Sequence, residues 1–515
     1  MKQNSLDNKS GNKQAAELAA KRANVPAALQ QKANDFLNSS PVNTKALKQM
    51  VNLLENPDSN AVGIMYVLEV IFRNLLKRKL ISTAENKKCK GNAQAKPQEP
   101  NATCQIQYNK AWSVLLANLG NTSKEEAGGA LKVCMQLIAA EAKHSSSNAW
   151  PVTRLRSILE ALINAEATPT AALAEFAKFT RCLDVLQFTY QLLPGLAPKS
   201  FVDTPNLAFN YLAIINVLDL GKTVLNDKQF HIGPESTFDY ERTRQLLNKV
   251  WSGVIASCNG VDEKVHRQVL VVLLERILPH LKDPILLTDF LMDSLHQFDG
   301  PIALLALQGI FTLMQKQNIT YPDVYQKLYN MFYPRMFYNK YKARLFYLAD
   351  IFLTSTHLPE NLVAAFAKRL ARLALKSPTE DAIIMIRFIC NLLLRHTGLQ
   401  RLICATGAAS GAEIVDPYDE TELDPVKAGA LQSSLWELVL LQKHAVPEVA
   451  NAAKFINKSL PMVEFDLSSL LEIKECNIFD DEVKKEVKQF TMAYERPTNF
   501  ALPQYDIVTK YWDIL

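Results

Sequence analysis

The chain has 515 residues, 48% hydrophobic and 21% charged, with 17 glycines and a formal net charge of +5. That length and apolar content suit a large core in two to four domains or one elongated array, and scarce glycine argues against turn-rich all-β folds. A mild positive charge with pI near 8.6 is well below that of a protein that coats itself in nucleic acid.

Residues 1–14 are polar and expected to be disordered, and the stretch MKQNSLDNKSGNKQAAELAAKR lacks the apolar centre of a secretory signal. The Asn-x-Thr matches at Asn101 and Asn318 therefore carry no weight. An N-terminal helical region is expected over 15–200, interrupted at 83–105 by a mobile, lysine-, alanine- and proline-rich loop. The eight cysteines (89, 104, 134, 182, 258, 390, 404 and 476) are scattered, with no CxxC pair and no His-x3-His, so they read as reduced thiols rather than a zinc site or disulfide framework.

From 201 to 475 the pattern is helical and repetitive. Thr204-Pro205, Asp283-Pro284, Gly300-Pro301, Ser377-Pro378 and Asp424-Pro425 each place a cap residue and a first-turn proline before an apolar, helix-length run. Starts near 284, 301, 322, 359, 378, 425 and 447 alternate too irregularly for a repeat consensus, which favours degenerate HEAT-like pairs. A break at 226–239 precedes a helix beginning near Tyr240. Ser377 to Glu380 reads as a capping box, and Gly398 as a left-handed stop. No apolar run is long enough to span a bilayer, so membrane insertion is not expected.

Tyr321 to Tyr347 mixes ten aromatic residues with basic ones. Arg335, Lys340, Lys342 and Arg344 could contact RNA while rings stack on bases, although Tyr325, Tyr329, Phe332 and Phe346 also fall at core spacing. In KRLARLAL, Leu370 and Leu373 continue an apolar stripe from Leu362 and Phe366, while Lys368, Arg369 and Arg372 read as the wet side. Cys390, His396 and Cys404 could be imagined as a thiol and base or as metal ligands. Cys390, however, lies on an apolar stripe, and His396 suits a helix C-terminus.

An acidic loop follows at 413–424, with Glu413, Asp416, Asp419, Glu420, Glu422 and Asp424 surrounding Tyr418. It is read either as a solvated leader to a helix starting at Pro425 or as a docking surface for a basic partner segment, carried by Asp416, Tyr418, Asp419, Glu420 and Glu422. Trp436 is expected to face the core with Leu435, Val439 and Leu440. Residues 476–515 form a C-terminal arm with a short helix near Val483 to Phe490, and Tyr505, Tyr511 and Trp512 are candidate partner contacts. No nucleotide, hydrolase or metalloprotease motif is present, so no cofactor or catalytic residue is assigned.

FYLADIFLTSTHLPENLVAAFAKRLARLAL (346–375), NLLLRH (391–396), DPYD (416–419) and SSLWEL (433–438), in this order, resemble the CBF/Mak21 family over roughly Leu295 to Phe500. The resemblance implies a nucleolar or nuclear, non-catalytic factor in small ribosomal subunit assembly. It also implies pairing with nucleolar protein 14 in the small-subunit processome, with other processome proteins nearby and pre-rRNA met mainly indirectly. The fold expected is an all-α, elongated α-solenoid of degenerate HEAT-like helix pairs. Direct RNA binding and a HEAT-like transport adaptor are the alternative readings.

Overall fold

The computed structural model describes residues 27–38, 44–55, 61–81, 99–120, 124–144, 150–221, 229–233, 238–258, 260–317, 321–404 and 416–489. Glu413, Tyr505, Tyr511, Trp512 and the N-terminal residues 1–14 lie outside them. Among the described residues every regular element is helical, and no helix is long and apolar enough to cross a membrane. Two compact units divide the chain, at 1–319 and 320–515. The expected boundary near 200 falls inside the first.

The first unit contains α1 (Ala27–Asn38), α2 (Thr44–Glu55), α3 (Ala61–Lys77), α4 (Glu99–Asn118), α5 (Lys124–His144), α6 (Val152–Ile163) and α7 (Thr170–Phe179). It continues with α8 (Leu183–Leu196), α9 (Pro205–Val217), α10 (Tyr240–Ala256), α11 (Glu263–Val272), α12 (Thr288–Gln297) and α13 (Pro301–Gln317). Proline at the first position fixes φ where no amide partner is needed, which is why α9 and α13 start at Pro205 and Pro301. α10 starts where the Asp239 carboxylate accepts from the Arg242 amide at 3.1 Å.

Many of the close packings skip one helix: α2 on α4, α3 on α5, α5 on α7, α9 on α11 and α11 on α13. Phe72, Tyr108, Phe176, Tyr190, Tyr211 and Trp251 fill the space between, each fully buried side chain contributing roughly 1.5–3 kcal/mol. Asp184 is buried too. Its carboxylate accepts from the His231 and Ile232 amides at 3.0 Å and from the Trp150 indole at 3.3 Å, pinning residues 229–233 to α8.

The second unit contains α14 (Pro322–Met331), α15 (Lys342–Phe352), α16 (Glu360–Ala374), α17 (Thr379–Arg395), α18 (Trp436–Leu441), α19 (Pro447–Ala453), α20 (Leu467–Leu471) and α21 (Glu475–Gln489). α16 and α17 pack together at its centre, and α17 also carries α19 and α20. Tyr329, Phe332, Phe346 and Phe366 meet edge to face at ring distances of 5.3–6.2 Å.

Several local expectations are corrected. α4 begins at Glu99 with Pro100 in its first turn, so the last residues of the supposed 83–105 loop are helical. Ser377 does not cap α17; its hydroxyl donates back to the Ala374 carbonyl, and Glu380 is drawn to Lys342. Gly398 opens no left-handed stop and lies in the 3-10 turn Thr397–Leu402. No helix starts at Pro425: residues 419–429 fold back instead, with the Asp419 amide bound to the Ala428 carbonyl at 3.0 Å. Gly429 closes that turn at φ +68°, where a Cβ would sit 2.6 Å from the Pro417 carbonyl oxygen. The C-terminal helix starts at Glu475 rather than near Val483, because the Glu475 amide donates to Glu380 and Ile478 is buried.

Candidate functional site

Helical periodicity puts Lys368 and Arg372 one turn apart on α16, and it predicts a wet face for them. The structure reverses that: Lys368 is fully buried. Its ammonium lies 2.7 Å from Glu437 and 2.9 Å from Asp416, and donates to the Ser434 carbonyl at 2.6 Å. Arg372 donates to Asp416 at 2.7 Å. Its Nε lies 2.8 Å from Glu437, near enough for charge pairing but not aligned as a hydrogen bond.

Asp416 is the hub. Besides both cations, it accepts from the Ser433 hydroxyl, from the Trp436 indole at 2.9 Å and from the Tyr418 amide at 3.2 Å. Burial would raise its pKa, but these hydrogen bonds outweigh it and hold the carboxyl well below the usual carboxylate range. Glu437 is fully buried, and that burial raises its pKa despite the opposing pull of Lys368 and Arg372. Two cations and two carboxylates leave the cluster neutral, the condition under which buried charges are tolerated.

The Trp436 ring completes the arrangement. Lys368 and Arg372 lie 5.3 Å and 4.6 Å from its centroid, so cations cover the ring while its edge donates to Asp416. Trp436 is consequently 38% exposed, and Val439 and Leu440 also face outward, contrary to the expected core packing; Leu435, Leu438 and Leu441 are the buried positions. Alongside, the Tyr418 hydroxyl meets Tyr329 at 2.8 Å, and the Arg369 guanidinium lies 4.3 Å from the Tyr329 ring centroid.

KRLARLAL, DPYD and SSLWEL are thus one interlocked cluster. Asp416 and Tyr418, expected to dock a partner, are spent inside it. The solvent-facing side of the same segment carries Asp419 and Glu420, the half-buried Glu422, and the exposed Leu423 and Val426. Asp419 is organised locally, accepting from the Thr421 amide and hydroxyl, and Glu420 makes an exposed 3.3 Å pair with Lys376.

Among the other candidates, Arg335, Lys340 and Arg344 are exposed, whereas Lys342 turns to Glu380 at 2.7 Å and Asp381 at 3.1 Å. Tyr333, Tyr338 and Tyr347 of the same stretch are exposed, Tyr338 at 88%, while Tyr329, Phe332, Phe337 and Phe346 are core. Cys390 is buried and its thiol pushed up to about 11 by that burial; His396 meets the Leu353 carbonyl at 3.2 Å. Among the described residues no group of three or more His, Cys, Asp or Glu side chains could hold a metal ion.

Sequence reasoning missed Lys368, Arg372 and Ser433 as partners of Asp416, and Glu437 as the second carboxylate on the two cations. The available signal was a lysine set among alanines and leucines in the most apolar part of α16.

A helical core closed by this charge cluster is what the CBF/Mak21 family profile covers: it matches residues 303–453, and the chain belongs to that family. Over most of its length it is similar to nucleolar complex protein 4 homologues. It is 34% identical to homolog B of Xenopus laevis, over 82% of this chain and 85% of the relative. With the Mus musculus homolog the identity is 35%, covering 74% and 77%, and with the Homo sapiens homolog 35%, covering 73% and 76%.

Proposed function

We propose that this chain is a non-catalytic assembly factor of nucleolar ribosome biogenesis, acting by holding partners. The relatives' shared name, nucleolar complex protein 4, supports a nucleolar setting. The finer reading is small (40S) subunit assembly within the small-subunit processome, paired with nucleolar protein 14. The skip-one helix packing within the first unit is what stacked HEAT-like pairs produce, and it supports a scaffold.

One observation carries the docking reading. The buried cluster fixes the backbone of 416–437, and the same segment turns Asp419, Glu420, Glu422, Leu423 and Val426 toward solvent. A pre-shaped acidic rim with aliphatic side chains suits a basic amphipathic segment, with little ordering left to oppose binding. Tyr505, Tyr511 and Trp512 remain proposed contacts of the same partner.

The test is Asp419→Lys/Glu420→Lys/Glu422→Lys, with co-purification of nucleolar protein 14 as the readout. Asp416 is left intact because it holds the fold. Affinity should fall about tenfold, roughly 1.4 kcal/mol, with thermal stability unchanged. Retained affinity would remove the acidic rim from the interface. A second reading, RNA stacking on the second unit, is favoured by the exposure of Tyr338, Tyr347 and Tyr333 beside Arg335 and Lys340. Loss of RNA crosslinks in Tyr338→Ala/Tyr347→Ala would support it.

A further inference from the structure

A second charged feature lies in the first unit. The C-terminal halves of α3 and α5 flank a cavity of about 450 Å³ lined by Val70, Arg73, Asn74, Lys77, Gln136, Ala139, Ala140, Lys143 and His144. Three of these side chains are full cations, and among the described residues no carboxylate lines the cavity. Glu69, the nearest acid on α3, pairs with Arg73 and is itself only 12% exposed. Arg73 also donates to Gln136 at 3.2 Å, which joins the two walls. Arg78 and Lys79 continue the basic run where α3 ends, and both are exposed.

The helix dipole accounts for some of this charge, because cations are favoured in a last turn and Lys77, Lys143 and His144 occupy such turns. It does not account for two such ends opening onto one shared cavity. We propose that this groove binds the phosphodiester backbone of RNA, independently of sequence and independently of the docking reading above.

Three observations select that ligand. The lining offers several cations within one groove, together with Asn74 and Gln136 amides as neutral donors, the mixture that phosphate oxygens accept from. Among the described residues no exposed aromatic ring lines the groove, so stacking on bases is not what the lining offers. The apolar lining among the described residues is the small side chains Val70, Ala139 and Ala140, and none of the exposed large hydrophobic side chains lies in the groove, whereas a protein segment would need larger apolar anchors to dock on. His144 adds a reporter. Burial first, then the charges of Lys143 and Lys77, lower its pKa, and a bound phosphate would offset those charges and raise it.

The experiment uses the full chain with fluorescein-labelled oligouridine and, separately, polyglutamate as probes. Replacing Lys77→Gln/Lys143→Gln should weaken oligouridine binding by roughly tenfold near 100 mM salt and lower the salt slope by about 1.5. Lys249→Gln/Lys264→Gln, exposed cations of the same unit outside the groove, should leave both nearly unchanged. In histidine-labelled protein the His144 resonance should titrate at higher pH once oligouridine is added. Equal losses in both double variants, an unmoved His144, or tighter binding of polyglutamate than of oligouridine would each overturn the proposal.

Discussion

Lys368→Met removes the one fully buried cation of the charge cluster while keeping a side chain of similar length. In the wild type two cations balance Asp416 and Glu437; in the variant Arg372 alone faces both. Glu437 then keeps its own backbone amide and the poorly aligned 2.8 Å approach of Arg372, and the Ser434 carbonyl loses its 2.6 Å donor. Each lost ion contact at 2.7–2.9 Å is worth about 6 kcal/mol at an effective dielectric of 20, but the ammonium's own desolvation, several kcal/mol, is no longer incurred. Breaking a buried pair from one side generally costs about 3–5 kcal/mol, and the lower end applies because Arg372 remains. The assay is urea unfolding, with hydrogen exchange of the 416–441 amides placing the loss. Lys368→Met/Glu437→Gln restores neutrality through the Arg372–Asp416 pair and should recover more than half of the loss. A single variant within about 1 kcal/mol of wild type, or a double variant no better than the single, would refute the reasoning.

Because the folded pKa of Asp416 is depressed, its contribution is complete above its ordinary value of 3.8 and is lost as pH falls from there toward the folded value. Asp416→Asn should therefore be less stable at neutral pH yet show a flatter acid limb below about pH 4.5 in thermal melts. Gly429→Ala forces an L side chain into φ +68° against the Pro417 carbonyl and should cost about 1–3 kcal/mol, seen as a lower melting temperature. Asp184→Ala strips the acceptor from the His231 and Ile232 amides; exchange at 229–233 should accelerate, and stability should fall by about 1–3 kcal/mol.

Helix starts were legible where proline meets a first turn, at Pro205, Pro301, Pro322 and Pro447, because that rule is local. Pro425 misled for the same reason: its fixed φ suits a turn as well as a helix, and the choice was made by Gly429 and the fold-back onto Pro417. The CBF/Mak21 motifs were legible as strings but not as one site. Periodicity assigns a face from a helix's own neighbours, whereas Lys368 is buried by a segment 48 to 69 residues away. Trp436 was drawn to the core by its apolar company, yet its indole donor needed Asp416, which sits at the partly exposed edge of the cluster. The α3–α5 groove could not be read at all, since its cations look like ordinary last-turn residues until the two helices are side by side.

The placement of the two kinds of charge on 416–437 separates what salt can undo from what it cannot. Screening shortens the electrostatic reach from about 10 Å at 0.1 M to about 3 Å at 1 M, which erases rim attractions but scarcely touches pairs closed off from solvent. A concentrated-salt wash should therefore elute a basic partner while the lock around Lys368 stays shut, releasing the chain in a form competent to rebind on dilution.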